Sequence, residues 1–290
     1  MRFDSLVYSL FEACKTQCTL YKQGKIAELI HKGSGADKAT RGDWESEETI
    51  IHFLTKDGLP LRIYSEEHGI IDVVKNPKYL AILDGIDGSS GLVKNPSSRC
   101  GTMLSVAKNL KPRYKDFIFA GITEYFTNKI VHGIEDYGVT ETTSPNYSIK
   151  KIPLFSHRSF SPQTKLRIDC YQTDIAPGIT AGISAFEKFM DEMVVQKLQG
   201  KLELSGGISS ASMCLDLLYQ DIDALAQIVA KGVSEPPVIY FLTTLLGGVG
   251  TDLKGNDLGE KKWEPVGMNV QGALFTSSRE INNSLVELLN

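Results

Sequence analysis

The chain has 290 residues, 42 % of them hydrophobic and 23 % charged, with a formal net charge of −4. That size and balance fit a soluble globular protein of one large or two modest domains. The mild acidity offers no attraction to a nucleic-acid polymer or an anionic membrane. The five cysteines, Cys14, Cys18, Cys100, Cys170 and Cys214, are odd in number and scattered, which argues for reduced thiols rather than a disulfide framework.

The N-terminal segment carries Asp4 and Glu12 and lacks the apolar core of a secretory signal. Phe3, Leu6, Val7, Leu10, Phe11 and Cys14 recur at helical spacing, so residues 3–30 are expected to be helical. A polar glycine-containing loop follows at 32–38, then a second helix over 44–55 with Asp43 near its start. Arg62–Tyr64 and Tyr79–Leu83 are strand candidates, ending at Ser65-Glu66-Glu67 and Asp84. Residues 103–107, 117–123 and 129–133 resemble successive strands of a sheet, and 138–147 is expected to be irregular. A further strand is expected around 167–171, and helices over 182–195 and 209–219. A last helix is expected after Pro236-Pro237, ending at Gly247-Gly248. The uncharged run 236–251 is too short and too broken for a membrane span. The pattern predicts an α/β protein, with a boundary near 145–155. A cytoplasmic location is expected.

Residues 83–91 read LDGIDGSSG. Asp84 and Asp87, on a turn after an apolar strand, can aim oxygens into one cleft, with the Ile86 carbonyl between them. Magnesium takes such hard oxygen ligands together with water and phosphate. Gly85 and Gly88 allow a tight backbone path. Ser89 and Ser90 offer hydroxyls and N–H groups at a helix start, a chemistry suited to phosphate. The same spacing also suits a plain surface turn. Glu66 and Glu67 also follow a strand; neighbours on a strand face opposite ways, so one of the two is expected in the cleft. Asp43 alone reads equally well as a helix N-cap.

In order along the chain, SEE at 65–67, DGID at 84–87 and GSS at 88–90 resemble the GEE and DPIDGT motifs of the inositol monophosphatase family. Lys32 and Asp43 stand at the separation that family uses for a loop lysine and an early metal-associated aspartate. Residues 207–215 (GISSASMCL) are similar to its substrate segment, and 247–252 (GGVGTD) to its late GG-x-x-TD. The resemblance spans about residues 3–275. It implies a layered α-β-α-β-α sandwich, with a 1–150 subdomain carrying the main metal motifs and a 151–290 subdomain completing the pocket. It also implies a homodimer and a lithium-sensitive hydrolase of small phosphate monoesters using two or three Mg²⁺ ions, with Mn²⁺ as the alternative. The implied metal ligands are Glu67, Asp84, Ile86 through its carbonyl, Asp87 and Glu235. Glu67, Ser89 and Asp43 take the catalytic roles. Gly88, Ser89, Ser90, Gly207, Ile208, Gln227 and Glu235 form the substrate site.

The chain departs from the family at several points. It has no WDxAAG motif; Ser234-Glu235 stand where Trp-Asp is expected, followed by two prolines. Glu235 keeps a carboxylate at a helix start on a longer stem, where it also suits the helix dipole. Gly85 replaces the proline of DPID, Ser89 the threonine and Gly91 the usual asparagine, and Gln227 falls near a substrate-facing glutamate. The substrate is therefore open among inositol monophosphate, fructose 1,6-bisphosphate, 3'-phosphoadenosine 5'-phosphate and other sugar phosphates. A catalytically weak relative acting as a binding or regulatory protein is the reading from another class. Asp216 is expected to face outward from its helix, and Asp223 to support local structure or contact the alcohol. No GxGxxG follows an early strand, which disfavours a dinucleotide-binding dehydrogenase.

Overall fold

In the computed structural model, residues 2–30, 39–95, 97–143, 148–169, 185–207, 209–228, 234–265 and 272–290 are described. Helix α1 (Phe3–Lys22) forms because Leu6, Leu10, Ala13, Cys14, Gln17 and Leu20 line one buried face. It ends earlier than the expected residue 30, since Gly24 adopts the left-handed region at φ 68° and unwinds the chain. Strands β1 (Leu29–Ile30) and β2 (Ala39–Thr40) then make a two-stranded ribbon. Helix α2 (Arg41–Lys56) starts at Thr40, whose hydroxyl accepts the Asp43 N–H at 3.1 Å. The N-cap is therefore Thr40, and Asp43 is released to serve elsewhere.

Eight strands make the larger sheet: β3 (Leu61–Ser65), β4 (Gly69–Asp72), β5 (Tyr79–Asp87), β6 (Gly101–Ala107), β7 (Phe117–Glu124), β8 (Lys129–Ile134), β9 (Gly138–Thr143) and β10 (Ser148–Lys151). Their order is β10-β9-β8-β7-β6-β5-β3-β4, with β3 and β5 parallel and the other pairs antiparallel. Residues 138–143, expected to be irregular, pair with β8 along their whole length; Val139 and Thr142 are the buried positions. Short helix α3 (Ser89–Lys94) follows β5.

The second sheet holds β11 (Lys165–Asp169), β12 (Glu203–Gly207), β13 (Ala224–Gln227), β14 (Val249–Asp252) and β15 (Ala273–Thr276), in the order β12-β11-β13-β15-β14. Strand β11 runs parallel to β12 and β13, which end in register at Asp169, Gly207 and Gln227. Helices α4 (Ala185–Leu198), α5 (Ser210–Leu218) and α6 (Glu235–Leu245) accompany this half. Helix α6 begins with Pro236 and Pro237 in its first turn, where their missing N–H groups cost nothing. The last helix is α7 (Arg279–Leu289), beyond α6, capped by Ser278.

The result is a mixed α/β fold with open sheets. Leu6 and Leu10 of α1 and Ile50 and Leu54 of α2 pack on Ile63, Leu83, Leu104 and Phe119 on one face of the larger sheet. Its other face meets Met213, Leu217, Val238 and Leu242 of α5 and α6, which also contact Phe275 of the second sheet. Leu198, Ile281 and Leu285 of α4 and α7 cover Leu166, Ala226 and Leu274 on the remaining face. Each fully buried leucine of this kind contributes roughly 1.5–3 kcal/mol. Among the described residues, no helix is long and apolar enough to cross a membrane.

Candidate metal and phosphate site

Strand β5 continues past Asp84 to Asp87, with its register against β6 shifting between those residues. That irregularity breaks the strict alternation of a strand and allows both carboxylates to turn toward the first turn of α6. Asp84, Asp87 and Glu235 each place a carboxylate oxygen within 4.8 Å of the others, and all three side chains are buried. Three buried carboxylates at this spacing repel one another unless protons or a cation intervene.

The electrostatics show that strain. Burial raises the Asp84 carboxyl well above its ordinary range, with Glu66, Asp87, Asp43 and Glu235 adding to the effect. No N–H or O–H of the described residues donates to Asp84 Oδ1, although it is buried. An acceptor oxygen stripped of water and left without a donor suits a cation. The all-oxygen donor set likewise suits Mg²⁺ or Mn²⁺.

Asp87 is fixed from the second half of the chain. Its Oδ2 accepts from Ser209 Oγ and from the Ala211 N–H, each at 2.7 Å. Both donors stand at the start of α5, whose dipole favours an anion there. Gly88 allows this approach, because a Cβ on it would come within 2.7 Å of Ser209 Cβ; its φ of 89° also favours glycine.

Both glutamates of the SEE stretch follow β3 directly. Glu66 lies beside Asp84, close enough for their carboxyls to hydrogen-bond. Although Glu66 is exposed as a residue, its carboxyl is pushed up to about 7, first by desolvation, then by the charges of Glu47, Glu67 and Asp87. Glu67 is half-buried and is not in the converging triad. Strand β3 stops at Ser65, so both glutamates sit on a turn, where the alternation of a strand does not separate them.

Glu47 of α2, which carried no sequence signal of its own, is fully buried and pins that turn. It accepts from the N–H groups of Glu66 and Glu67 at 3.1 Å each, from the Ser65 hydroxyl, and pairs with His68 Nδ1 at 2.9 Å. The His68 ring packs on Trp44, with centroids 3.9 Å apart.

Asp43 is buried, and its Oδ1 accepts the Ile86 N–H at 2.5 Å. Burial raises its carboxyl well above the usual range, followed by the charges of Glu66, Glu47 and Glu67. The approach of α2 to β5 depends on Gly85, since a Cβ there would overlap the Asp43 backbone carbonyl. Glycine in place of proline is thus a close-packing requirement, not merely a looser loop.

Ile86 is buried within the β5 irregularity. Ser89 is half-buried and Ser90 exposed at the start of α3. Gly207 ends β12. Gln227 is buried, and its Nε2 donates to Ser210 Oγ at 3.0 Å and to Asp169 Oδ2 at 3.3 Å. Ile208 and Lys32 lie outside the described residues. Asp216 does not face outward; it is buried and accepts from Arg99 Nη1 at 2.7 Å and from Arg167 Nη1. Asp223 takes a structural place, accepting from the Lys165 N–H at 2.9 Å and Arg158 Nη1 at 2.8 Å.

Solved structures match this fold along nearly its whole length. An extragenic suppressor protein, suhB, from Bartonella henselae superposes with a TM-score of 0.73 at 14 % identity, covering 99 % of this chain and 98 % of that one. The chain has the fold of the inositol monophosphatase and fructose-1,6-bisphosphatase superfamily. An IMPase from Thermotoga maritima gives a TM-score of 0.71 at 14 % identity, over 100 % of this chain and 96 % of that one. Fructose-1,6-bisphosphatase from Leishmania major gives 0.70 at 15 %, over 99 % and 94 %. No protein-family model matches the chain, and no curated protein does. At such identities the likeness to this superfamily is one of fold.

Proposed function

We propose that the chain is a metal-dependent hydrolase of a small phosphate monoester, on the layered α-β-α-β-α plan of this superfamily. The observation that carries the reading is the convergence of Asp84, Asp87 and Glu235 from opposite halves of the chain. Asp84, Asp87 and Glu235 hold the cation, with the Ile86 carbonyl and Glu67 as further ligands. Glu66, beside Asp84, joins this acidic surface. Bound Mg²⁺ or Mn²⁺ supplies Lewis-acid polarisation of the phosphate and a lowered pKa for water.

The chain's own groups do the positioning. Asp43 and Ser89 flank the attacking water, with Glu67 orienting it or taking its proton. Gly88, Ser89 and Ser90 hold phosphate oxygens through N–H and hydroxyl groups. Gln227, with Gly207 and Ile208, borders the alcohol. Both halves, meeting near 145–155, contribute side chains to the site. The substrate is an inositol monophosphate or a related sugar phosphate, with fructose 1,6-bisphosphate and 3'-phosphoadenosine 5'-phosphate as the other candidates. A homodimer in the cytoplasm completes the proposal.

The test is phosphate release with Mg²⁺, and then Mn²⁺, across those substrates and NADP, with Asp87→Asn as control. Release by the natural chain and its loss in the control support the reading. A folded protein releasing no more than the control moves the assignment to a binding or regulatory relative.

A further inference from the structure

Gln17 belongs to no motif, lies on α1 outside the acidic cluster, and is fully buried. Its hydrogen bonds can be followed donor by donor. The Thr102 N–H donates to Thr123 Oγ1 at 3.2 Å, and the Thr123 hydroxyl to Gln17 Oε1 at 3.2 Å. One Gln17 Nε2 hydrogen goes to Thr102 Oγ1 at 2.5 Å, whose own hydroxyl donates to the Gly85 carbonyl at 2.8 Å. The other goes to Ser46 Oγ at 2.9 Å, whose hydroxyl donates to the Gly42 carbonyl at 2.6 Å. Gln17 Nε2 is also 3.1 Å from the Gly85 carbonyl itself. Every donor is used, and the chain of bonds ends on two carbonyls.

Those two carbonyls immediately precede Ile86 and Asp43. The peptide joining Gly85 and Ile86 is gripped at both ends: Thr102 and Gln17 hold its oxygen, while Asp43 Oδ1 accepts its N–H. This peptide lies between Asp84 and Asp87. Rotating it would redirect both carboxylates and the Ile86 carbonyl together. We propose that Gln17 is a positioning residue for the acidic site, acting through Thr102 and Ser46 on the peptide plane between its two aspartates. The proposal rests on the metal-site reading above. A satisfied buried network of this kind rigidifies its surroundings, and outer-shell partners of metal ligands tune affinity.

The test measures Mn²⁺ binding by electron paramagnetic resonance without substrate, beside urea unfolding, for the full chain, Gln17→Met, Thr102→Val and Thr102→Ser. Gln17→Met and Thr102→Val should each weaken Mn²⁺ binding by about 10-fold to 100-fold. Their double variant should lose less than the sum, because one path carries both effects. Thr102→Ser, which keeps the hydroxyl, should bind as the unaltered chain does. Unchanged Mn²⁺ affinity in folded Thr102→Val or Gln17→Met overturns the proposal, whatever happens to stability. If Gln17→Met does not fold, Thr102→Val decides alone. Absence of Mn²⁺ binding in the unaltered chain instead overturns the metal-site reading and, with it, this one.

Discussion

Ser209 Oγ donates to Asp87 Oδ2 at 2.7 Å across 122 residues of chain. The same hydroxyl accepts the Ser212 N–H at 3.3 Å as the N-cap of α5. One serine therefore joins helix capping to the orientation of an acidic side chain on the other sheet. Ser209→Ala should cost about 1–3 kcal/mol, the range for stranding a buried charged acceptor together with a lost cap. Urea unfolding in the presence of a chelator measures this cost, and Ser209→Thr should recover most of it.

Gly85 makes a sharper steric case. A Cβ there would overlap the Asp43 carbonyl, and that contact is with backbone, which cannot swing aside. Gly85→Ala should destabilise by about 1–3 kcal/mol, as overpacking does. Gly85→Pro, which restores the proline of the DPID pattern, should be at least as harmful. Thermal unfolding of both variants checks this, and an unaffected Gly85→Pro would show that α2 can retreat without loss.

The acidic cluster sets a pH dependence whose sign is fixed. Glu66 is raised to about 7, and Asp84 and Asp43 are raised as well. In chelator, the folded chain then holds more protons than the unfolded one between the ordinary carboxylate range and neutrality. Stability should therefore fall as pH rises through that window, levelling off above the folded values. Melting of the metal-free protein should occur at a lower temperature at about pH 8 than at about pH 6. Glu66→Gln should flatten part of this slope. Added Mg²⁺ should raise the melting temperature most at the higher pH, where the carboxylates are ionised.

Glu235 stands where the resembled family has aspartate. Its buried carboxylate lies within the triad from the first turn of α6. Glu235→Gln removes the charge while keeping the shape, and should raise the Mg²⁺ concentration needed for half-maximal phosphate release by at least about 10-fold. Glu235→Asp, with a stem shorter by one methylene, should fall between. A Mg²⁺ titration of activity in both variants gives the answer.

Much of this was legible because it is local. The apolar run before Asp84 marks β5, and the prolines at 236 and 237 mark the start of α6. Convergence of Asp84 with Glu235 was legible only through ordered motifs, since no spacing argument joins residues so far apart. Three features escaped for identifiable reasons. Strand β9 reads Gly-Val-Thr-Glu-Thr-Thr with a single aliphatic residue, and its strand state is imposed by pairing on both sides with β8 and β10. Asp216 looked like a surface charge because its partners, Arg99 and Arg167, come from other elements. Gln17 looked like any polar residue on a helix; its buried partners belong to α2, β5, β6 and β7. Helix α7 did leave a signal, with Ser278 before Ile281 and Leu285, the pattern of a cap ahead of an apolar stripe.

The most direct test of the central claim is a crystal soaked in Mn²⁺ and measured for anomalous scattering. A peak bounded by Asp84, Asp87 and Glu235, within coordination reach of their carboxylate oxygens, is expected, together with its loss in Asp87→Asn. A well-ordered site with no peak at saturating Mn²⁺ would contradict that claim, and the three carboxylates would then be sharing protons in place of a cation.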